Sequence, residues 1–151
     1  MSVSNFPIPD FEFDSGDSLN VNLVYKSINP SATKTALITN YYTGRLEELI
    51  TYTAPDSALA DYHVVVVAQM GNGESSSPSN TPNFPNSVTY QDQVRAQYKL
   101  VTEKLGFKQL DVVLGLSMGG QAAYHWAAIH PNSSKTESCY APLLGPADRH
   151  T

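Results

Sequence analysis

The sequence predicts an α/β fold, a mostly parallel sheet with helices on its flanks. Three observations carry this expectation. His63–Ala68 (HVVVVA) is β-branched and apolar on both faces, as in a central parallel strand covered on both sides. Starting with it, a strand–helix–strand–helix alternation runs to residue 130, which implies right-handed crossovers. The chain has 151 residues, of which 41% are hydrophobic and 10% aromatic, enough to build one core.

The elements follow in order. Residues 1–18 are polar and proline-containing and read as an irregular lead-in. Leu19–Lys26 alternates in the period of a half-buried strand. Asn29-Pro30-Ser31 marks a turn, and Thr35–Thr39 is a short apolar run fit for a buried strand. Asn40–Gly44 follows it as a loop. Leu46, Leu49 and Ile50 give one or two helical turns, which Pro55 interrupts. After His63–Ala68 comes a long Gly/Ser/Pro/Asn segment, Gly71–Asn86, of a length usually functional or mobile. Thr89 with Asp92 gives a capping-box-like helix start, with Asp in place of the usual Glu. Tyr90, Val94, Tyr98, Val101 and Leu105 then line one helical face, and Gly106 closes the helix. Leu110–Leu114 is the next strand, Gly115–Gly120 a turn, and Met118–His130 a helix stopped by Pro131. Residues 132–151 show no periodicity.

The charge balance is −5 and no basic run occurs, which argues against a nucleic-acid partner. Val64–Ala68 is far too short to cross a bilayer, which takes about 20 residues. The N-terminus lacks a basic and an apolar region, so it does not read as a secretory signal. Asn132-Ser133-Ser134 is a formal glycosylation sequon, without meaning in that context. A lone cysteine, Cys139, forms no internal disulfide, and a reducing, cytoplasmic compartment is expected. No His/Cys/Asp/Glu cluster has metal-ligand spacing.

Gly115-Leu116-Ser117-Met118-Gly119 is a G-x-S-x-G sequence. The pattern is weak by itself, but here it follows a buried strand and opens a helix, as a nucleophile elbow requires. The serine sits on a sharp turn that lifts its hydroxyl above the sheet edge. Residues two before and two after must be small, and Gly115 and Gly119 are. The N–H of Met118 then lies at a helix N-terminus, where it can donate to a developing oxyanion. A second donor is expected in the loop after an earlier strand. Asn40–Gly44 is the candidate, through the N–H of Tyr41 or Tyr42. An ordinary strand-to-helix connection fits that loop equally. The segment lacks the Lys-Ser/Thr of a P-loop and does not match G-x-G-x-x-G.

A serine nucleophile needs a base and an orienting acid. His125 and His130 lie too far along the helix, about 12 Å or more from the serine at 1.5 Å per residue. His63 begins a strand and belongs at the opposite sheet edge. Asp148 with His150 is the one late acid–base pair, two residues apart at the chain end. Glu137 and Cys139 have no evident partner.

The chain resembles the homoserine O-acetyltransferase family of α/β-hydrolases, its fungal branch in particular. The resemblance runs from Phe13-Asp14-Ser15-Gly16 and Leu19 through Thr39–Gly44 and Gly71–Asn80. It continues with Val88-Thr89-Tyr90, Asp92 and Ala96-Gln97 and is most specific at Gly115–Gly120, Trp126-Ala127 and His130-Pro131. It implies an α/β-hydrolase-type sheet and acyl transfer through an acyl-serine at Ser117, with Met118 lending an oxyanion N–H. Acetyl-CoA or another acyl donor would be a substrate rather than a bound cofactor, and the acceptor a hydroxyl compound or water. Gln121 departs from the Met of the strict homoserine enzymes.

On this reading residues 1–131 form a partial domain, apparently truncated after the elbow helix, and residues 132–151 an unmatched tail. Only 34 residues follow Ser117, and a further strand with its crossover takes roughly 30. The base and acid of the family lie beyond the matched region. Three readings follow: an acyltransferase or esterase represented by its N-terminal half, a non-catalytic remnant or binding module, and a small enzyme using Asp148 and His150. Truncation would leave Leu110–Leu114 as an open apolar edge that invites self-association.

Overall fold

The computed structural model describes residues 2–140, with the backbone alone for residues 136–140. Six strands form one sheet in the order β1-β2-β4-β3-β5-β6. They are β1 (Ser4–Glu12), β2 (Ser18–Ile28), β3 (Lys34–Thr39), β4 (Tyr62–Val67), β5 (Leu110–Leu116) and β6 (Ser134–Tyr140). β1, β2 and β4 pair antiparallel, whereas β4, β3, β5 and β6 run parallel. The expected mostly parallel sheet is therefore present, and β4 is its antiparallel-to-parallel junction.

Helices cover both faces. α1 (Leu46–Leu49) continues into a 3-10 turn, and its Leu46 and Leu49 pack on Ala36, Ile38, Val64 and Val66. α2 (Tyr90–Lys99) and α3 (Met118–Ile129) lie on the other face, where Val94, Ala96, Ala123 and Trp126 meet Leu37, Val65, Val67 and Val113. Strand neighbours thus alternate between two cores, the period-2 rule of a sheet buried on both sides. α2 ends in a π turn, Leu100–Lys104, and Gly106 at φ +71° reverses the chain.

Two strands correct the sequence reading. The lead-in contains β1. Pro7 and Pro9 argue against a strand, but β1 sits at the sheet end, where a missing N–H costs no ladder bond. Its alternation, Phe6 and Ile8 then Phe11, is broken by a register shift at Asp10, which has φ +49°. β6 corrects the aperiodic reading of residues 132–151. Its sequence, SKTESCY, has no apolar alternation, yet it pairs in parallel with β5 from Leu110↔Ser134 to Leu116↔Tyr140. Asp111 helps fix this register, accepting from Lys135 Nζ at 2.6 Å and from the Thr35 N–H on β3 at 2.8 Å. The expected open edge at Leu110–Leu114 is therefore filled, and β1 and β6 end the sheet among the described residues.

The turn expected over Gly115–Gly120 shrinks to Ser117 alone, with β5 reaching Leu116 and α3 starting at Met118. Gly71–Asn86 is tied down rather than loose. Ser75 Oγ accepts from Val24 N and donates to Ala68 O, and Ser76 exchanges bonds with Asn22.

The capping box at Thr89 is present, and its Asp92 is fully buried. The Asp92 carboxylate accepts from Thr89 N, from Asp14 N and from Arg95. Asp92→Ala removes a helix cap and leaves those donors unpaired, an expected loss of about 2–4 kcal/mol. Urea unfolding followed by circular dichroism measures it.

Candidate active site

The strand order reverses at β3: β4 lies on one side of it and β5 on the other. The carboxyl ends of β3 and β5 therefore flank a topological switch point, the usual place for a ligand crevice in such sheets. The loop 40–44 and Ser117 both emerge there.

Ser117 has φ +53° and ψ −120°, a conformation that costs a non-glycine residue strain. It is exposed, and its side chain accepts no helix-capping bond. The flanking glycines make the turn possible. A Cβ on Gly115 would lie 2.0 Å from the Gly119 carbonyl oxygen. A Cβ on Gly119 would lie 2.4 Å from the Thr39 carbonyl oxygen and 2.9 Å from that of Asn40. The elbow is thus pressed against the end of β3, and Thr39 Oγ1 fastens it by donating to Gly119 O at 2.9 Å. The N–H of Met118 stands in the first turn of α3 without an acceptor among the described residues.

Four of the six N–H groups from Asn40 to Arg45 are committed. Asn40 N donates to Val67 O, Thr43 N to Asn72 Oδ1, Gly44 N to Tyr41 O, and Arg45 N to Glu48. The N–H groups of Tyr41 and Tyr42 alone have no partner among the described residues. They are the two that the sequence put forward. Tyr41 turns its ring under Gly44 and its hydroxyl to Glu48 at 2.5 Å. That bond raises the Tyr41 hydroxyl above its ordinary value and lowers the Glu48 carboxyl below its own. Tyr42 is 72% exposed and lines a cleft of about 380 Å³ with Gln69, Asn72, Phe84, Tyr90 and Met118.

The histidines stand elsewhere. His63 pairs in register with Thr35, four residues down β4 from Val67, or about 13 Å from the site's end of the sheet. It bonds Ser27 Oγ at 2.7 Å and packs edge-on against Phe107. His125 stacks on Tyr90 with ring centroids 5.2 Å apart. His130 stacks on Tyr98 at 3.9 Å, at the far end of α3. Asp148, Arg149 and His150 lie outside the described residues, as do the side chains of Glu137 and Cys139. Among the described residues no group of three or more His, Cys, Asp or Glu could hold a metal ion, and no helix is long and apolar enough to cross a membrane.

The residues missed in the sequence are carboxamides. Asn40 and Gln69 are fully buried. Asn40 Oδ1 accepts from Gln69 N at 2.8 Å, and Gln69 Nε2 donates to Asn40 O at 2.7 Å. Gln93, on α2, clamps Met70 through both its N–H and its carbonyl. Asn72 reaches across to Tyr41, Thr43 and Gly44. The one visible hint was Asn72 between two glycines, Gly71 and Gly73, after a buried strand.

A family profile for the alpha/beta hydrolase fold matches residues 44–136. The chain belongs to that family. It is 36% identical over 129 residues to the ethyl acetate hydrolase of Pseudomonas veronii, covering 78% of this chain and 36% of the relative. Over 54 residues, 36% of this chain and 14% of the relative, it is 48% identical to the homoserine O-acetyltransferase of Zymomonas mobilis. The solved acetylester hydrolase of Corynebacterium glutamicum superposes with a TM-score of 0.83 at 28% identity, covering 91% of this chain and 43% of that one. The likeness to homoserine O-acetyltransferases therefore stands beside a longer one to esterases. The chain spans less than half the length of each of these proteins.

Two outcomes test this geometry. Gly119→Ala drives a methyl group into backbone oxygens that cannot yield, and should lower stability by about 3 kcal/mol or more by urea titration. Burial lowers the affinity of both His63 and His130 for protons. Above about pH 6.5 they are neutral in folded and unfolded chains alike, and their full contribution is present. As pH falls below that value the unfolded chain takes up protons first, so stability declines, then levels off once the folded histidines protonate. The urea midpoint should drop as pH falls through about 6.5, the ordinary histidine value, and a His63→Gln, His130→Gln double variant should lose most of that drop.

Proposed function

We propose that this chain carries the nucleophile and oxyanion donors of an acyl-transfer site, with Ser117 as the nucleophile. The observation that carries it is the strained, exposed Ser117 between two glycines that tolerate no Cβ. Ser117 Oγ bonds to the acyl carbon and the bond to the leaving alcohol or thiol breaks. The Oγ proton leaves through a base to the leaving group. The N–H groups of Met118 and Tyr42 receive the negative charge that develops on the acyl oxygen.

The oxygen of water or of a hydroxyl acceptor then bonds to the acyl carbon, the bond from that carbon to Ser117 Oγ breaks, and the acceptor's proton passes through the base back to Ser117 Oγ. A short acyl ester is the first substrate class to try, since the ethyl acetate hydrolase likeness covers most of the chain. Acetyl-CoA is the second, in keeping with the shorter likeness to homoserine O-acetyltransferases. None of the hydrogen bonds of His63, His125 or His130 engages Ser117, so base and acid are sought outside the described residues.

The test is pre-steady-state release of nitrophenolate from p-nitrophenyl acetate. A burst stoichiometric with the chain is expected, with the acetyl group on Ser117 by peptide mass spectrometry. Ser117→Ala should abolish it, and a burst that survives this change would place the nucleophile elsewhere. No burst in the wild-type chain would favour a non-catalytic member of the family, acting as a binding module.

A further inference from the structure

The peptide unit between Tyr41 and Tyr42 contains both the Tyr41 carbonyl and the Tyr42 N–H. A trans peptide points these two groups in opposite directions. Whatever holds the carbonyl therefore aims the N–H. The Tyr41 carbonyl accepts two hydrogen bonds, from Asn72 Nδ2 at 2.8 Å and from Gly44 N at 2.9 Å. The same carboxamide accepts the Thr43 N–H at 2.9 Å, on the far side of Tyr42, and donates to Gly44 O at 3.3 Å. One side chain thus brackets Tyr42 on both sides.

Resting on Ser117 as the nucleophile, we propose that Asn72 is a positioning residue that aims and polarises the N–H of Tyr42 toward the acyl oxygen. Three observations converge. The N–H groups of Tyr41 and Tyr42 are uncommitted among the described residues, while Asn40, Thr43, Gly44 and Arg45 each spend theirs, and of the two Tyr42 is the one at the cleft. Tyr42, Asn72 and Met118 line the same cleft. Asn72 itself is held by a sharp backbone course, with Gly71 at φ +87° and Gly73 at φ +97°, both in the region that favours glycine. A carbonyl that accepts two bonds also withdraws charge from its own peptide unit, which strengthens the N–H as a donor. Asn40 and Gln69 act in the same sense one unit earlier, with Gln69 Nε2 on the Asn40 carbonyl.

The chemistry separates donor from acceptor. Asn72→Asp keeps size and shape and still accepts from the Thr43 N–H. It can no longer donate to the Tyr41 carbonyl, and its charge repels that oxygen. The probe is a p-nitrophenyl phosphonate: Ser117 Oγ bonds to phosphorus and gives its proton to solvent, the bond to nitrophenolate breaks, and a tetrahedral phosphonate anion remains on the serine. In nitrogen-15-labelled wild-type chain the Tyr42 amide proton should move downfield when this adduct forms. Asn72→Asp should be phosphonylated about 10- to 100-fold more slowly, short of the roughly 100- to 1000-fold that outright loss of an oxyanion donor costs. Its melting temperature should stay near wild type, and its Tyr42 amide should no longer shift in the adduct. Asn72→Ala should change in the same direction.

Phosphonylation of Asn72→Asp at the wild-type rate overturns the proposal, as does a Tyr42 amide that stays in place in the wild-type adduct. Failure of the wild-type chain to react would count against Ser117 and leave Asn72 to amide exchange in the unreacted protein. There Tyr42 should exchange freely and Thr43 slowly, with Thr43 released in Asn72→Ala. A protected Tyr42 amide would overturn the assignment of Asn72 by itself.

Discussion

The contact on which the rest depends is between backbones: the first turn of α3 lies against the carbonyls that end β3. A Cβ at Gly119 would fall within 2.4 Å of the Thr39 carbonyl oxygen, so the approach exists only because that atom is missing. Thr39 Oγ1 adds the hydrogen bond that fixes the distance. This contact joins two elements that are 80 residues apart in sequence. It needs β3 and β5 as neighbours, and the sheet provides that by sending β4 to one side of β3 and β5 to the other. Gly115 serves the same end from within the elbow, where Gly119 folds back over it. The strain at Ser117 is thereby over-determined by its surroundings, which is the condition for such strain to persist.

Around that contact the chain uses neutral amides where charges would be costly. Asn40, Gln69, Asn72 and, from α2, Gln93 tie backbone groups of two loops without themselves carrying a charge. A buried ion pair there would carry a desolvation cost. A carboxamide offers a donor and an acceptor in one plane, so a single side chain can fix both halves of a loop. The arrangement has a cost of its own: Gln69 Oε1 is buried without a hydrogen bond among the described residues. The stronger ionic contacts stand away from this floor. Asp92 and Arg95 brace the start of α2, Lys135 and Asp111 join β6 to β5, and Lys26 pairs with Glu47.

Much of this was legible in the sequence where the signal is local. Val64–Val67 announces a strand buried on both faces, and Thr89 with Asp92 announces a helix start, because both depend on neighbours in the chain. Ser117 and its two glycines were legible for the same reason, since the steric rule acts over five residues. Tyr41 and Tyr42 were legible as a pair but not separable, because what distinguishes them is that Tyr42 lines the cleft with Asn72 and Met118 while Tyr41 packs under Gly44, and that depends on residues some 30 or more positions away. β1 was hidden by Pro7 and Pro9, whose cost vanishes at a sheet end. β6 was hidden because SKTESCY carries no apolar alternation, and its place is set by backbone pairing with β5 and by the Asp111–Lys135 contact. The carboxamide frame was hidden because an Asn in a Gly-rich loop reads as turn chemistry whichever backbone it will meet.

The two halves of an acyl-transfer site differ in the range of the structure that makes them. The proposed oxyanion donors are backbone groups, and their positions follow from an elbow, a loop and the amides that brace it. All of these lie within residues 39–119 of this chain. Proton transfer needs side chains brought in on other loops, and the described histidines are spent on packing against Ser27, Tyr90 and Tyr98. The halves are also separable in energy. Serine proteases stripped of a triad member retain about 1000- to 10,000-fold catalysis over water from the oxyanion hole and binding. On the proposed reading, an activated ester, whose leaving group needs no proton, draws mainly on the half that residues 39–119 would supply. An unactivated ester draws on both, so the contrast between the two substrates measures how much of the proton-transfer machinery accompanies the elbow.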